Sequence, residues 1–532
     1  MRHASATPGA DGGGQLTLGA HPEPDAVGVR RHDARAGLGT RARRDGWALM
    51  AGEDYATTSG SGSRSVFWSA ISVAGRQGLL LAFSLLLARI LGPDAYGVIA
   101  QAAIFISLST LLMDQGITAA LINSKSVART QVGAASGLNI TLGAVLAVAA
   151  VVSATPLAVF FATPELSQVL VVLGIGLMLK AFAVVPRMML VRAFDFKSQA
   201  VLDVSATLLG GVGGVIAALA GADYWALVMQ ILVTDALTAL LLTVRARPPL
   251  PNLRFTTLWS TMGFSSRVLF SNLVSYTVQN LDSILIARTM STQSLAYYSL
   301  AYRVLTTPTL LVGQVVTRVL FPAMSRVLHT GGDAAALIAK STQTISLLTF
   351  PGMALIAVSA PITVPLVVGE AWLPVVPILV VFAVGGARAS VTTVNTSVVM
   401  GLGRADIMLR FSLVAAVTQI AGIVIGLQWG ILGVAVGFTV AGFVLTPVIS
   451  AIQKRIASFG YRAQLASVLP ALHATLWLIG GYLLTQWVAG TSVLAVIAAF
   501  VVSILLFLTV LRLFHRSTWS SARGNALRIL GR

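Results

Sequence analysis

Residues 491–512 read TSVLAVIAAFVVSILLFLTVLR, and no charge interrupts them before Arg512. About 20 largely apolar residues in a helix span the hydrocarbon core of a bilayer. This stretch is that long, and thirteen others resemble it. They lie at roughly 66–90, 96–121, 132–154, 166–190, 203–221, 224–244, 264–288, 295–320, 336–358, 372–399, 408–427, 430–450 and 468–488. Lipid offers no partner to an unpaired backbone amide, so every span is expected to be helical. A barrel would show alternating segments of about 10 residues, which this sequence lacks. The expected fold class is therefore all-α: a polytopic membrane protein with about fourteen transmembrane helices.

Composition agrees. Of 532 residues, 56% are hydrophobic and 10% charged, far below the ~25% charged residues of soluble domains. The net charge of +18 would suggest nucleic acid in a soluble chain, but here the cations fall between apolar runs. The chain has no cysteine, which excludes disulfides, thiol catalysis and cysteine metal sites. Its six histidines have no metal-type spacing, and His473 reads as an interfacial or packed histidine. No metal, cofactor or nucleic-acid partner is expected. Residues 1–65 are rich in Gly, Ala, Arg, Asp and Pro without apolar periodicity, as in a disordered tail, and Met50 is an alternative start. Residues 513–532 read as a basic tail.

The connecting loops orient the spans. One alternating set, with the C-terminal tail, carries nineteen Lys and Arg, among them Arg187, Arg192, Arg245, Arg254, Lys454 and Arg462. The other set carries only Arg89 and Arg288. Positive loops stay in the cytoplasm, so both termini are expected there, in an inner (cytoplasmic) membrane. Aromatics at span ends, including Tyr96, Tyr224, Trp225, Tyr297, Tyr298, Trp372 and Trp429, read as an interfacial belt.

An internal repeat organises the spans. The first ends in Leu-Ala-Arg (Leu87 to Arg89) and the seventh in Ile-Ala-Arg (Ile286 to Arg288), with Tyr96 and Tyr297 opening the spans that follow. Lys180 and Arg388 are 208 residues apart, as are Pro164 and Trp372. Six spans separate each pair, so the halves share an orientation, as in transporters whose substrate site lies between parallel repeats. The expected lobes are 66–244 (spans one to six) and 264–450 (spans seven to twelve), followed by two helices within 468–512.

The stretch Leu87-Ala-Arg-Ile-Leu-Gly-Pro-Asp-Ala-Tyr-Gly97 resembles the LAR-LGP-x-x-YG element of polysaccharide flippases. These are the O-antigen and exopolysaccharide transporters of the multidrug/oligosaccharidyl-lipid/polysaccharide exporter superfamily. Leu281 to Arg288, Tyr297 to Arg303, Arg318 to Arg326, Gly369 to Trp372 and Gly401 to Arg404 resemble later elements of the same family. The resemblance covers about residues 65–450. It implies two six-helix lobes and transport of polyprenyl-pyrophosphate-linked oligosaccharide for cell-surface polysaccharide biosynthesis. It also implies a lipid environment, with glycosyltransferases and a polysaccharide polymerase as partners. No shared motif fixes the family's substrate contacts.

Candidate site residues follow instead from charge. A charged side chain at the bilayer centre costs about 2.5–3.5 kcal/mol on insertion scales. Arg76, Lys180, Arg303 and Arg388 lie deep in spans one, four, eight and ten and are expected to line a water-filled cationic cavity. Lys180 and Arg388 are expected to face each other across it. A diphosphate would supply the anion, since guanidinium binds phosphate oxygens with two parallel bonds. Arg267 and Arg318, with the acids Asp235 and Asp282, are secondary candidates. Gly210-Gly-Val-Gly-Gly214 lacks the Lys-Ser/Thr of a phosphate loop and reads as a packing surface. The sequence holds no nucleotide, metal or nucleophile constellation, which argues against an enzyme. The alternative is a multidrug or small-molecule antiporter of the same superfamily. It fits less well, because cations outnumber acids at depth.

Overall fold

The protein was analysed as a computed structural model, which describes residues 61–114, 127–255, 273, 276–277, 279–309, 333–401 and 404–529. Among these the chain is helical throughout, without strands. Helix α1 is Ser61–Asp114, α2 Arg129–Phe160, α3 Glu165–Arg192, α4 Phe196–Leu219 and α5 Trp225–Ala246. Helical segments 279–289 (α6) and 292–309 (α7) follow. Then come α8 Ala334–Val367, α9 Val375–Gly401, α10 Ala405–Gly426, α11 Gly430–Ala457, α12 Tyr461–Ala489, α13 Val493–Phe514 and α14 Arg516–Ile529.

Ten helical stretches among the described residues are long and apolar enough to cross a membrane. Two of them, Val73–Met113 and Asp406–Ala457, each cover most or all of two expected spans, so the ten correspond to twelve of the fourteen. The other two expected spans, 264–288 and 295–320, are only partly described. The polypeptide is a multi-pass membrane protein. Its outward face is apolar where a soluble protein's would be polar: on α13, Leu494, Ile497, Val501 and Leu505 are all exposed.

One boundary differs from the sequence reading. Helix α1 begins at Ser61, inside the stretch read as tail, while the tail call for 1–60 lies outside the described residues. Most of the stretch read as a basic C-terminal tail forms helix α14. Its Trp519 packs against the apolar cluster of α12 and α13, and Gln343 of α8 donates to Thr518 Oγ1 at 2.8 Å. Burial of one aromatic gives a short, otherwise polar segment a reason to be helical.

Within α1 the chain breaks at Gly92–Pro93. Gly92 takes φ 77°, a left-handed backbone open to glycine, and Pro93 has no N–H to continue the ladder. The two halves of α1 are therefore separate spans joined without a loop.

Helices α1–α5 pack into one lobe, and α8–α11 into a second against which α12 and α13 lie. Between lipid-soluble helices, close backbone approach takes over from the hydrophobic effect as the packing force. The expected packing role of the glycine stretch in α4 is observed. A Cβ on Gly210 would sit 1.9 Å from Thr234 Oγ1 of α5, and one on Gly211 would strike the Phe83 ring of α1. Helices α10 and α11 meet the same way: a Cβ on Gly437 would lie 2.0 Å from the Gly422 carbonyl.

Candidate functional site

The lobes meet at the end that carries Tyr96 and Trp372. The 3-10 turn Glu370–Trp372 leads Trp372 into the seam, where it is fully buried. Its ring stands edge-on to Tyr96 of α1 at 5.5 Å and to Tyr297 of α7 at 5.8 Å. Its Nε1 donates to the Ala88 carbonyl of α1 at 2.9 Å. Arg89 reaches across to the Leu366 and Val367 carbonyls at the end of α8. Arg288 of α6 places its guanidinium 5.2 Å from the Phe160 ring centre at the end of α2. Gly97 is held against the backbone of Thr292, leaving no room for a Cβ, and Thr163 Oγ1 lies 3.4 Å from Thr292 Oγ1.

The belt reading of the aromatics therefore needs correction. Trp372 and Tyr96, 0% and 6% exposed, close the seam, and Tyr298, 1% exposed, packs on Tyr302 and Phe382, whereas Trp429, at 68%, faces outward. Sequence shows that an aromatic ends a span, but not which way that span is turned.

Behind this seal lies a central cavity of about 530 Å³, walled by α1, α3 and α5 on one side and α6 and α7 on the other. Arg76, Lys180 and Arg303 line it, with Asp235 and Asp282. Amides (Gln77, Gln230, Gln279, Asn280) and hydroxyls (Ser107, Thr234, Ser283, Thr306, Thr307) fill much of the remaining wall. A second space of about 350 Å³ shares Arg76, Lys180 and Asp235 with the first and runs along α3 to Arg187 and Val191. The polar path thus continues from the cavity towards the end opposite the seal.

The candidates sort as follows. Arg303 Nη1 donates to Ser84 Oγ at 2.9 Å, and Ser84 Oγ lies 2.6 Å from Tyr96 Oη, so this cation of α7 reaches into α1 just behind the seal. Lys180 lies 3.6 Å from Asp235 across α3 and α5, so it is ion-paired within the cavity wall. Asp282, 3% exposed, accepts from Tyr298 Oη at 2.6 Å and from the Ser283 amide at 2.6 Å. Arg267 and Arg318 lie outside the described residues.

Arg388 is not in this cavity. Its Nη1 donates to the Gly442 carbonyl of α11 at 2.7 Å, and the missing side chain at Gly442 makes room for the guanidinium. It lines a separate, mostly apolar groove among α8, α9, α11 and α12, which shares no residue with the central cavity. Lys180 and Arg388 therefore do not face each other. A shared offset in sequence does not fix direction: each helical residue turns the side chain by about 100°, so a slip of one position re-aims it.

Sequence reasoning missed the cavity's amides, hydroxyls and tyrosines. Their only signal was polar residues inside apolar spans: Gln230 and Thr234 are spaced i, i+4 on one face of α5.

Residues 86–377 match the family described as polysaccharide biosynthesis protein. Lipopolysaccharide biosynthesis protein WzxC of Escherichia coli K12 is 28% identical over 392 residues, 71% of this chain and 78% of that protein. Succinoglycan biosynthesis transport protein ExoT of Rhizobium meliloti is 26% identical over 367 residues, 68% of this chain and 74% of that protein. Among solved structures, the lipid II flippase MurJ in an inward closed conformation superposes with a TM-score of 0.63. That alignment covers 86% of this chain and 98% of that one at 14% identity, a likeness of fold.

Proposed function

The chain belongs to the polysaccharide biosynthesis protein family, and from that premise we propose that it carries a polyprenyl-diphosphate-linked oligosaccharide across the cytoplasmic membrane. It acts by alternating access, as a transporter rather than an enzyme, and works beside the glycosyltransferases that build the glycan and the polymerase that extends it. Both termini lie in the cytoplasm, so the sealed end faces outward and the cavity opens inward.

One observation carries this reading: a polar cavity between two lobes, bearing Arg76, Lys180 and Arg303, closed at one end by the Trp372 seam. The glycan headgroup cannot cross hydrocarbon without losing its hydration, whereas the polyprenyl tail need never leave lipid. A wall of amides and hydroxyls replaces water around sugar hydroxyls, and the cations take the diphosphate. Rocking of the lobes about the seam then exposes the load to the other side. An antiporter of cationic drugs is disfavoured by the same wall, where three cations stand against Asp235 and Asp282.

The test is delivery of lipid-linked oligosaccharide to the outer leaflet of vesicles containing the purified protein. Arg76→Ala and Arg303→Ala should each reduce delivery at least tenfold at equal protein level. Normal delivery by the double variant would overturn the assignment of the cavity.

A further inference from the structure

Two ion pairs lie along α3, and their geometries differ. Arg187 and Asp203 form a two-pronged pair with both bonds at 2.8 Å, and Asp203 is 3% exposed. Each oxygen of that carboxylate has its own donor, as a fixed structural pair requires. Lys180 and Asp235 are looser. Their atoms are 3.6 Å apart, and Asp235 Oδ2, shut away from solvent, receives no hydrogen bond. Both side chains line the central cavity and its extension, with Arg76 on the same wall. Structural packing alone gives no reason to leave a buried carboxylate oxygen without a hydrogen bond beside two cations.

We propose that Asp235 is a resident counter-ion: it yields Lys180 to the diphosphate when the substrate loads and reclaims it when the substrate leaves. This rests on the reading of the cavity given above. Lysine suits the role, because its ammonium is a compact charge with three rotatable donors on a flexible stem, which can change partners without re-forming a planar fork. Exchanging one anion for another keeps Lys180 paired in the empty and the loaded states, so its buried ammonium is never left alone. The carboxylate also repels the bound headgroup. That repulsion weakens binding and eases departure, which matters in a carrier that must let go of what it binds.

The test uses the full-length chain in phosphatidylcholine vesicles, with farnesyl diphosphate as the binding probe and outer-leaflet delivery as the second readout. Removing one negative charge about 6 Å from the headgroup, at an effective dielectric near 20, is expected to tighten binding by about 100-fold. Asp235→Asn should therefore bind the probe more tightly and deliver substrate more slowly. Asp203→Asn is the contrast: it should lower thermal stability without tightening binding. Should Asp235→Asn fail to accumulate, Lys180→Gln and Lys180→Gln/Asp235→Asn carry the same comparison, with the double variant binding more tightly. Equal or weaker binding on loss of the carboxylate, in either background, overturns the role given to Asp235. If the wild-type chain binds no diphosphate at all, the reading of the cavity falls, and this inference falls with it.

Discussion

Trp372→Ala should open the sealed end of the molecule. Only the contacts that cross between lobes count, because the Tyr297 contact stays within the second lobe. One edge-to-face aromatic pair, Trp372 with Tyr96, contributes about 0.5–1.5 kcal/mol. The Nε1 bond to the Ala88 carbonyl adds about 0.5–1.5 kcal/mol. Their loss, roughly 1–3 kcal/mol, raises the open fraction about 5- to 150-fold, at about 1.4 kcal/mol per factor of ten. The chain has no cysteine, so a single introduced thiol reports without background. Thr163→Cys places it at a position 4% exposed in the seam. Its rate of labelling by a bulky maleimide in the purified protein should rise by that factor when Trp372→Ala is added. Trp372→Phe keeps a ring and loses the bond, so it should give about half of the free-energy effect. An unchanged labelling rate in Trp372→Ala, at normal protein level, would show that the seam is not what holds the lobes together.

Three further outcomes are expected. Asp203→Ala strips the two-pronged partner from a part-buried Arg187 and should cost about 3 kcal/mol, read as a lower unfolding temperature in detergent. His515, just beyond α13, has a pKa held below its ordinary value by burial and by His473, to which its Nε2 is bonded at 3.0 Å. A lowered histidine pKa stabilises the neutral pair above about pH 6.5, and this support is lost as pH falls. Amide protection in α14, measured against the intrinsic exchange rate at each pH, should therefore fall between pH 7.5 and 5.5 in wild type and lose that dependence in His515→Asn. Reporter fusions after Arg254 and Arg462 should read cytoplasmic and one at Glu370 should read outside; a cytoplasmic reading at Glu370 contradicts the loop-charge orientation.

Much of the architecture was legible because the bilayer fixes the length of every span and leaves the backbone one way to satisfy its hydrogen bonds. Helix ends were placed less well. Helix α8 runs to Val367, nine residues past the expected end, because its apolar run continues through Pro361 and Pro365 up to the break at Gly369, φ 98°. The site was legible in residue type and poorly legible in direction. Arg76, Lys180 and Arg303 could be found because each charge sits within an apolar run, and all three line one cavity. Arg388 carries the same signal and points elsewhere, since hydropathy records depth in the membrane and not rotation about the helix axis.

The repeat shows how far sequence can reach when rotation is constrained twice. Arg89 and Arg288 end the first spans of the two lobes. Each crosses to the end of the other lobe's third span: Arg89 to the carbonyls of Leu366 and Val367, Arg288 to the face of Phe160. Neither side chain has a carboxylate partner among the described ion pairs. In the sequence they are the two lone cations of the cation-poor loop set, which marks the side but gives no reason for their presence there. The seam supplies one: an arginine can satisfy itself on helix-end carbonyls, where the dipole is negative, or on a ring face. Both attachments hold only while the lobes touch at this end. They therefore act in the same direction as Trp372 and the contacts of Gly97 and Thr163 with Thr292, so the closed seam is held by several separate contacts, each weak enough for a rocking motion to break.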